Sequence, residues 1–189
     1  MEFKNRVLVY KSKYGSSKKY ANWIKDELKC DIFEKDKISL KDLKRYDSII
    51  YIGGVYSSSV KGFNSIIKNL DELKDKEIIL IAVGSSLGNE CEVNKIKEFN
   101  LKDNPKNIKL FYLRGGFDFE NLKFFDKTAM KMLRNRLVNK DGVLTEEERF
   151  LLSCYEKPHD WTNKNNLKEI LNYINRKSIK ENNKIKIKC

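Results

Sequence analysis

A single histidine, His159, in a chain of 189 residues leaves little material for a serine-histidine-aspartate triad or a multi-histidine metal centre. It stands in "KPHDW", which reads as a polar turn. The four cysteines, Cys30, Cys91, Cys154 and Cys189, lie far apart with no CxxC pair, so they spell neither a zinc site nor a redox dithiol. They read as buried or incidental thiols. No apolar run approaches the roughly 20 residues that span a bilayer. The opening "MEFKNRVLVYKSK" lacks the basic start, apolar centre and small-residue cleavage site of a signal peptide. A soluble, cytoplasmic protein is the expectation. Internal repeats and low-complexity linkers are also missing, as are the phosphate-loop spacing GxxxxGK[ST] and the dinucleotide fingerprint GxGxxG.

What is present in quantity is positive charge. Lysine and arginine number 39 against 27 aspartates and glutamates, a formal +12 with a pI near 9.4. Such a balance favours anionic partners: acidic small molecules, anionic lipid or nucleic acid. No RNA-recognition, zinc-finger or helix-turn-helix pattern accompanies it, so no specific nucleic-acid partner is expected. Part of the excess sits in residues 176–189, "RKSIKENNKIKIKC", which reads as a basic, solvated tail.

Along the chain, "RVLVY" at 6–10 has the unbroken apolarity of a strand covered on both faces. A helix is expected from about Ser17, where Tyr20, Ala21, Trp23, Ile24 and Leu28 recur at helical spacing. "CDIFEKDKI" is a weaker, polar strand suited to a sheet edge. "DSIIYIGG", "KEIILIAVG" and "NIKLFYLRGG" are three clear strands, with short helices in "GFNSIIKNL" and "EVNKIKEF" between them. Strands alternating with helices predict right-handed crossovers and an α/β fold. The order of strengths suits a doubly wound, five-stranded parallel sheet, 2-1-3-4-5, with its ligand crevice at the carboxyl ends of strands 1 and 3.

An extra helical segment, about 117–160, follows the fifth strand. In "NLKFFDKTAMKMLRNRLV", Lys123, Lys127, Lys131 and Arg134 share one face. Phe125, Ala129, Met132, Leu133 and Leu137 lie largely opposite, with Arg136 intruding. The apolar face serves either to pack on the domain or to touch lipid, and the lysines either meet solvent or anionic groups. Thr145 and Glu148 form a capping box that opens the next helix. Leu167, Ile170, Leu171 and Ile174 place a closing helix back on the sheet.

The loop after the first strand, "YKSKYGSSKKYA", carries Ser12, Tyr14, Gly15, Ser16 and Ser17 at the switch point. Unpaired N–H groups and the positive end of the helix dipole make an anion site there, to which hydroxyls and one glycine add donors and close approach. A helix start capped by serine fits the same residues. Spacing leaves both readings open.

The segment resembles the flavodoxin phosphate loop, a strand followed by [ST]-x-[ST]-G-x-[ST] and a helix, with Tyr14 departing from the usual hydroxyl residue at the third place. The likeness spans residues 1–113 and, with the closing helix, most of the chain. It implies a flavodoxin-like, FMN-binding domain over 1–175 with the FMN phosphate on this loop. Gly54, Val55, Tyr56, Ser57 and Ser58 in the loop after strand 3 would then cover one side of the flavin ring, with Tyr56 stacking on it. Gly84, Ser85, Ser86, Leu87 and Gly88, after strand 4, would meet its edge. No catalytic residue is identified.

Two departures bear on function. Electron-carrying flavodoxins are typically acidic, whereas positive charge stabilises reduced, anionic flavin and raises the two-electron potential. The loop after strand 3 also lacks the Gly-Asp pair with which some carriers respond to flavin reduction. Residues 112–137 and 159–174 are similar to the corresponding segments of flavodoxin-like protoporphyrinogen oxidases that reduce menaquinone. That resemblance implies two-electron oxidation of a small anionic substrate with a quinone as acceptor, near the inner face of a membrane. An electron-transfer protein serving a protein redox partner is the alternative.

Overall fold

The structure is a computed structural model and describes residues 5–101 and 108–176. The basic tail expected over 176–189 lies, from 177 onward, outside the described residues. The chain divides into two compact units, one made of the N-terminal part to Arg114 together with the chain from Thr162, the other of Gly115–Trp161.

In the first unit, β1 (Arg6–Lys11), β2 (Asp31–Glu34), β3 (Ser48–Tyr56), β5 (Glu77–Gly84) and β6 (Ile108–Arg114) form a parallel sheet in the order β2-β1-β3-β5-β6. The remaining short strand, β4 (Ser59–Val60), runs antiparallel to the end of β3. Counting the five parallel strands alone, this is the expected order 2-1-3-4-5. The polar strand "DIFE" stands at the edge, where one hydrogen-bonding side has no neighbour and a continuous apolar sequence is not required.

Alternation along the central strands explains their unbroken apolarity. Val7, Val9, Ile49, Tyr51, Ile78, Leu80 and Ala82 point to one face. There they are covered by Leu43 of α2 (Leu40–Leu43), Ile66 of α3 (Asn64–Ile67) and Ile96 of α4 (Glu90–Leu101). Leu8, Ile50, Ile52, Ile79, Ile81 and Val83 point to the other face. Tyr20, Ala21 and Ile24 of α1 (Ser16–Leu28) cover them, together with Leu167, Ile170 and Ile174 around the closing helix, 168–176. In-register pairs keep the ladder level: Val7 with Ile49, Ile49 with Ile78, and Lys11 with Gly53. The carboxyl ends of β1, β3 and β5 therefore finish on one edge, and their loops leave it side by side. Tyr20 locks this edge: its hydroxyl donates to the Arg114 carbonyl at 2.8 Å and accepts from Asn163 N–H at 3.1 Å.

The second unit holds α5 (Phe124–Val138), α6 (Glu146–Ser153) and a two-stranded antiparallel ladder of β7 (Gly116–Phe117) and β8 (His159–Asp160). The ladder was not legible in the pattern, since two residues per strand are too few for any alternation to show. The capping box is as expected: Glu148 N–H donates to Thr145 Oγ1 at 3.2 Å and Thr145 N–H to Glu148 Oε2 at 2.9 Å. Tyr155 is the unit's hub. Its ring meets Phe117 and Phe119, the Arg134 guanidinium lies 5.7 Å from its centroid, and its hydroxyl donates to the Met130 carbonyl at 2.8 Å. His159 stacks flat on Trp161, centroids 4.9 Å apart. Among the described residues no helix is long and apolar enough to cross a membrane.

Candidate functional site

The turn between β1 and α1 is built on Gly15. This residue is the N-cap of α1 at φ +98°, and an added Cβ would meet nothing within 4 Å, so the glycine is there for its backbone and not for space. Ser12 Oγ accepts the Gly15 N–H at 3.1 Å and holds the turn. The helix ladder begins with Lys19 N–H to the Gly15 carbonyl at 2.9 Å, which leaves the N–H groups of Ser17 and Lys18 ahead of the ladder at the positive end of the dipole. No side chain caps this terminus and no carboxylate lies in its first turn, where acids are normally favoured. The capped-start reading of "SS" is thereby corrected: a glycine cannot cap with a side chain, and Ser17 is instead buried inside the first turn. A terminus left basic and uncapped is suited to an external anion.

The segment after β3 differs from the expected loop. Gly54, Val55 and Tyr56 belong to the strand itself, because the chain turns back at once through Ser57 (φ +47°) and Ser58 (φ +65°) into β4. Two consecutive positive φ values describe the tight hairpin turn whose twist matches its strands. Gly53 is needed for packing, since a Cβ there would stand 2.6 Å from Val60 Cγ1. Asn100 of α4 fastens the hairpin, accepting Val60 N–H at 2.8 Å and donating to the Ser58 and Ile96 carbonyls, each at 2.7 Å. Below it the Tyr51 hydroxyl donates to the Lys61 carbonyl at 2.9 Å, and burial pushes that phenol's pKa well above its ordinary value.

Tyr56 and the first loop meet through a cation. Lys13 Nζ lies 5.4 Å from the Tyr14 ring centroid and 5.6 Å from that of Tyr56, and Lys61 Nζ lies 5.6 Å from Tyr56 as well. These are cation–π distances. Lys13 thus bridges the loops on either side of the switch point, with Lys61 as a second charge on the same ring. Lys11, one step back, is neutralised by Asp36 and lies 3.9 Å from Glu34. The hydrogen bond to Asp36 raises the Lys11 pKa and lowers that of Asp36.

The loop after β5 is tied inward. Gly88 N–H and Asn89 N–H both donate to Glu92 Oε2, at 2.8 and 3.2 Å, while Glu92 N–H returns to Asn89 Oδ1 at 2.9 Å, a capping box for α4. Ser86 Oγ stands 2.9 Å from the Tyr112 hydroxyl, which also donates to the Ser86 carbonyl at 3.0 Å. A Cβ on either Gly84 or Gly88 would overlap Tyr112, so both glycines serve the close approach of that ring. Burial raises the Tyr112 pKa and keeps the phenol a donor. The Ser85 carbonyl lies 3.5 Å from Arg114 Nε, and Leu87 is exposed at the loop's tip.

The sequence missed Lys13 and Lys61 as ring partners, Asn100 as the hairpin's clasp, and Tyr112. The spacing Asn89…Glu92 carried a readable cap signal. Lys13, Asn100 and Tyr112 act through tertiary contacts between segments 26 to 43 positions apart, which no local pattern reports, and Lys61 meets Tyr56 only because the unforeseen hairpin folds it back. Among the described residues no cluster of histidine, cysteine or carboxylates could hold a metal.

A doubly wound sheet with an uncapped helix start at the switch point is the architecture of a class of nucleotide- and flavin-binding folds. Residues 7–141 match the sequence pattern described as "Flavodoxin domain", and the chain belongs to that family. Similar solved structures include a flavodoxin, WrbA-like protein from Agrobacterium tumefaciens, 19% identical over 52% of this chain and 69% of that one, TM-score 0.42. Another is a flavoprotein in complex with FMN from Lactobacillus acidophilus NCFM, 17% identical over 59% and 93%, TM-score 0.42. A flavodoxin from the domain Archaea is 16% identical over 80% and 96%, TM-score 0.35. No curated protein matches the chain.

Proposed function

We propose that this chain binds FMN at the carboxyl edge of its sheet and works as a two-electron oxidoreductase. The observation that supports this most directly is the Gly15 turn, an uncapped, acid-free helix start opened by a residue at φ +98°, in a chain of the flavodoxin family. Its donors fit a phosphate: the N–H groups of Ser17 and Lys18 lie ahead of the helix ladder, and Ser12, Tyr14 and Ser16 bring hydroxyls to the same turn. Ser57 and Ser58 shape the neighbouring hairpin, and Tyr56 offers the ring on which a flavin would stack. The segment from Gly84 to Gly88 would border the flavin edge. Its Gly88 N–H already serves Glu92 and its Ser86 carbonyl already accepts from Tyr112, so the exposed Ser85 and Leu87 remain the better candidates for contact. FMN when bound supplies hydride and electron transfer, which no side chain here can perform.

For the reaction, we infer oxidation of a small anionic, protoporphyrinogen-like substrate with a quinone as acceptor. Lys13 and Lys61 support this reading, because two ammonium groups around Tyr56 would hold carboxylates at the crevice mouth and favour the reduced, more negative state of the site. A protein redox partner in place of the quinone is the competing outcome.

Titrating the purified protein with FMN and following flavin fluorescence tests the first step. Submicromolar binding is expected, weakened roughly tenfold by Ser16→Ala if its hydroxyl holds phosphate. Absence of binding overturns the whole reading. Stepwise reduction of the loaded protein should proceed in one two-electron phase, whereas strong accumulation of a one-electron-reduced form would favour the carrier. Turnover of protoporphyrinogen with a menaquinone analogue then tests the substrate class.

A further inference from the structure

The sequence left open whether the apolar face of α5 packs or is presented outward. Leu137 is the one buried residue of α5, and Asp126, Lys127 and Met130 are half-buried. The opposite arc carries two adjacent rows at helical spacing, Phe124–Thr128–Lys131–Asn135 and Phe125–Ala129–Met132–Arg136. Phe124, Phe125 and Met132 are 78%, 83% and 69% exposed. The two phenylalanine rings pack edge to face, centroids 5.6 Å apart, and stand together at the start of the helix. Three large apolar side chains presented this openly on one arc mark an interaction surface.

We propose that this arc docks α5 on the headgroup region of an anionic lipid bilayer. Charge decides the partner. Lys127 is engaged by Glu120 and Arg134 by the Tyr155 ring, so those cations are directed into the unit. Lys131 stands within one outward row and Arg136 closes the other, and among the described residues neither meets a carboxylate. Asp126, the helix's one acidic residue, sits on the half-buried side, so no carboxylate of α5 interrupts the outward arc. An aromatic and methionine wedge closed by two cations matches the interface of an anionic bilayer, where rings settle at headgroup depth and lysine or arginine meets phosphate. A groove-binding peptide would need walls beside the wedge, whereas the side chains flanking it, Thr128, Ala129 and Asn135, are small or polar and exposed. The inference stands apart from the cofactor reading, because it uses no residue of the sheet edge.

Co-sedimentation of the full chain with vesicles of phosphatidylcholine containing about one third phosphatidylglycerol tests it. Binding is expected at low salt, with little to pure phosphatidylcholine. Lys131→Gln with Arg136→Gln should weaken it roughly thirtyfold, and Phe125→Ser with Met132→Ser by at least as much. All four positions are exposed, so circular dichroism should be unchanged and the variants remain informative. Wild-type protein that ignores anionic vesicles overturns the proposal. So does binding that both double variants retain, since the basic residues beyond 176 would then be the contact. Self-association of the wild type that Phe125→Ser with Met132→Ser abolishes would assign the arc to a second copy and overturn it too.

Discussion

At Gly15 and Gly88 the same residue type answers two different constraints, and substitution separates them. Gly15 has open space around an added Cβ, so Gly15→Ala pays only for a backbone at φ +98°, about 1–3 kcal/mol of stability in urea unfolding. Because the strain falls on the turn that positions the Ser17 and Lys18 N–H groups, FMN affinity should drop with it. Gly88→Ala combines φ +74° with overlap of the Tyr112 ring, and truncating that ring removes only the overlap. In a double-mutant cycle, Gly88→Ala should therefore cost less in a Tyr112→Ala background than alone, and strict additivity would show that the ring is not the obstacle. Tyr51 offers a pH test. Burial raises its pKa above the value near 10 that an unfolded phenol has. Above pH 10 the unfolded chain loses that proton before the native one, so the unfolded state binds fewer protons and stability falls as pH rises. Below pH 10 the contribution is fully present. Tyr51→Phe, which also gives up the bond to the Lys61 carbonyl, should be less stable at pH 8 yet lose less stability than wild type between pH 9 and 11.

At the scale of elements, the clasp by Asn100 joins α4 to the β3–β4 hairpin with two hydrogen bonds from one side chain, which a third bond, to the Ile96 carbonyl of its own helix, holds in place. Asn100→Ala leaves a part-buried Val60 N–H without its acceptor, and we expect a loss of about 2–3 kcal/mol, read as a lower Tm. The hairpin should open locally before the sheet does, visible as faster amide exchange at Val60; equal protection in the variant would mean that strand pairing alone holds it. These contacts also mark how far the sequence could be read. The five parallel strands were legible because burial on both faces demands continuous apolar runs such as "IILIAV", and the polar second strand declared itself an edge by the same logic. Two capped helices had signals, Thr145…Glu148 and Asn89…Glu92, of which only the first is among the expectations from the sequence. The hairpin after β3 was not legible, since Ser57 and Ser58 adopt positive φ without the asparagine or glycine that announces such turns. The outward arc of α5 escaped for another reason. Periodicity identifies an amphipathic face, but only the packing of Leu137 and Tyr155 shows which side the unit buries.

At the scale of the whole molecule, the charge of +12 is unevenly distributed. Residues 115–161 hold eight lysines and arginines against nine aspartates and glutamates, so the excess belongs to the remainder of the chain, which includes the sheet and its crevice. A field of that sign over the switch point should draw anionic ligands in and hold a reduced, negative cofactor more tightly than an oxidised, neutral one. Both effects act through partly exposed groups and are screened by salt. Lys13 and Lys61 each place an ammonium 5.6 Å from the Tyr56 ring centroid, and each should contribute on the order of 1 kcal/mol to the preference for the reduced form at low ionic strength. Lys13→Gln with Lys61→Gln is therefore expected to lower the midpoint potential of the FMN-loaded protein, with a shift that shrinks as salt rises from 20 to 500 mM. Affinity for oxidised FMN, measured in parallel, separates tuning from binding: a fall in affinity with an unchanged potential would make the lysines a phosphate or ring anchor only. If the potential falls while oxidised FMN binds as before, the lysines act on the reduced state, as a site built for two-electron chemistry with an anionic substrate requires.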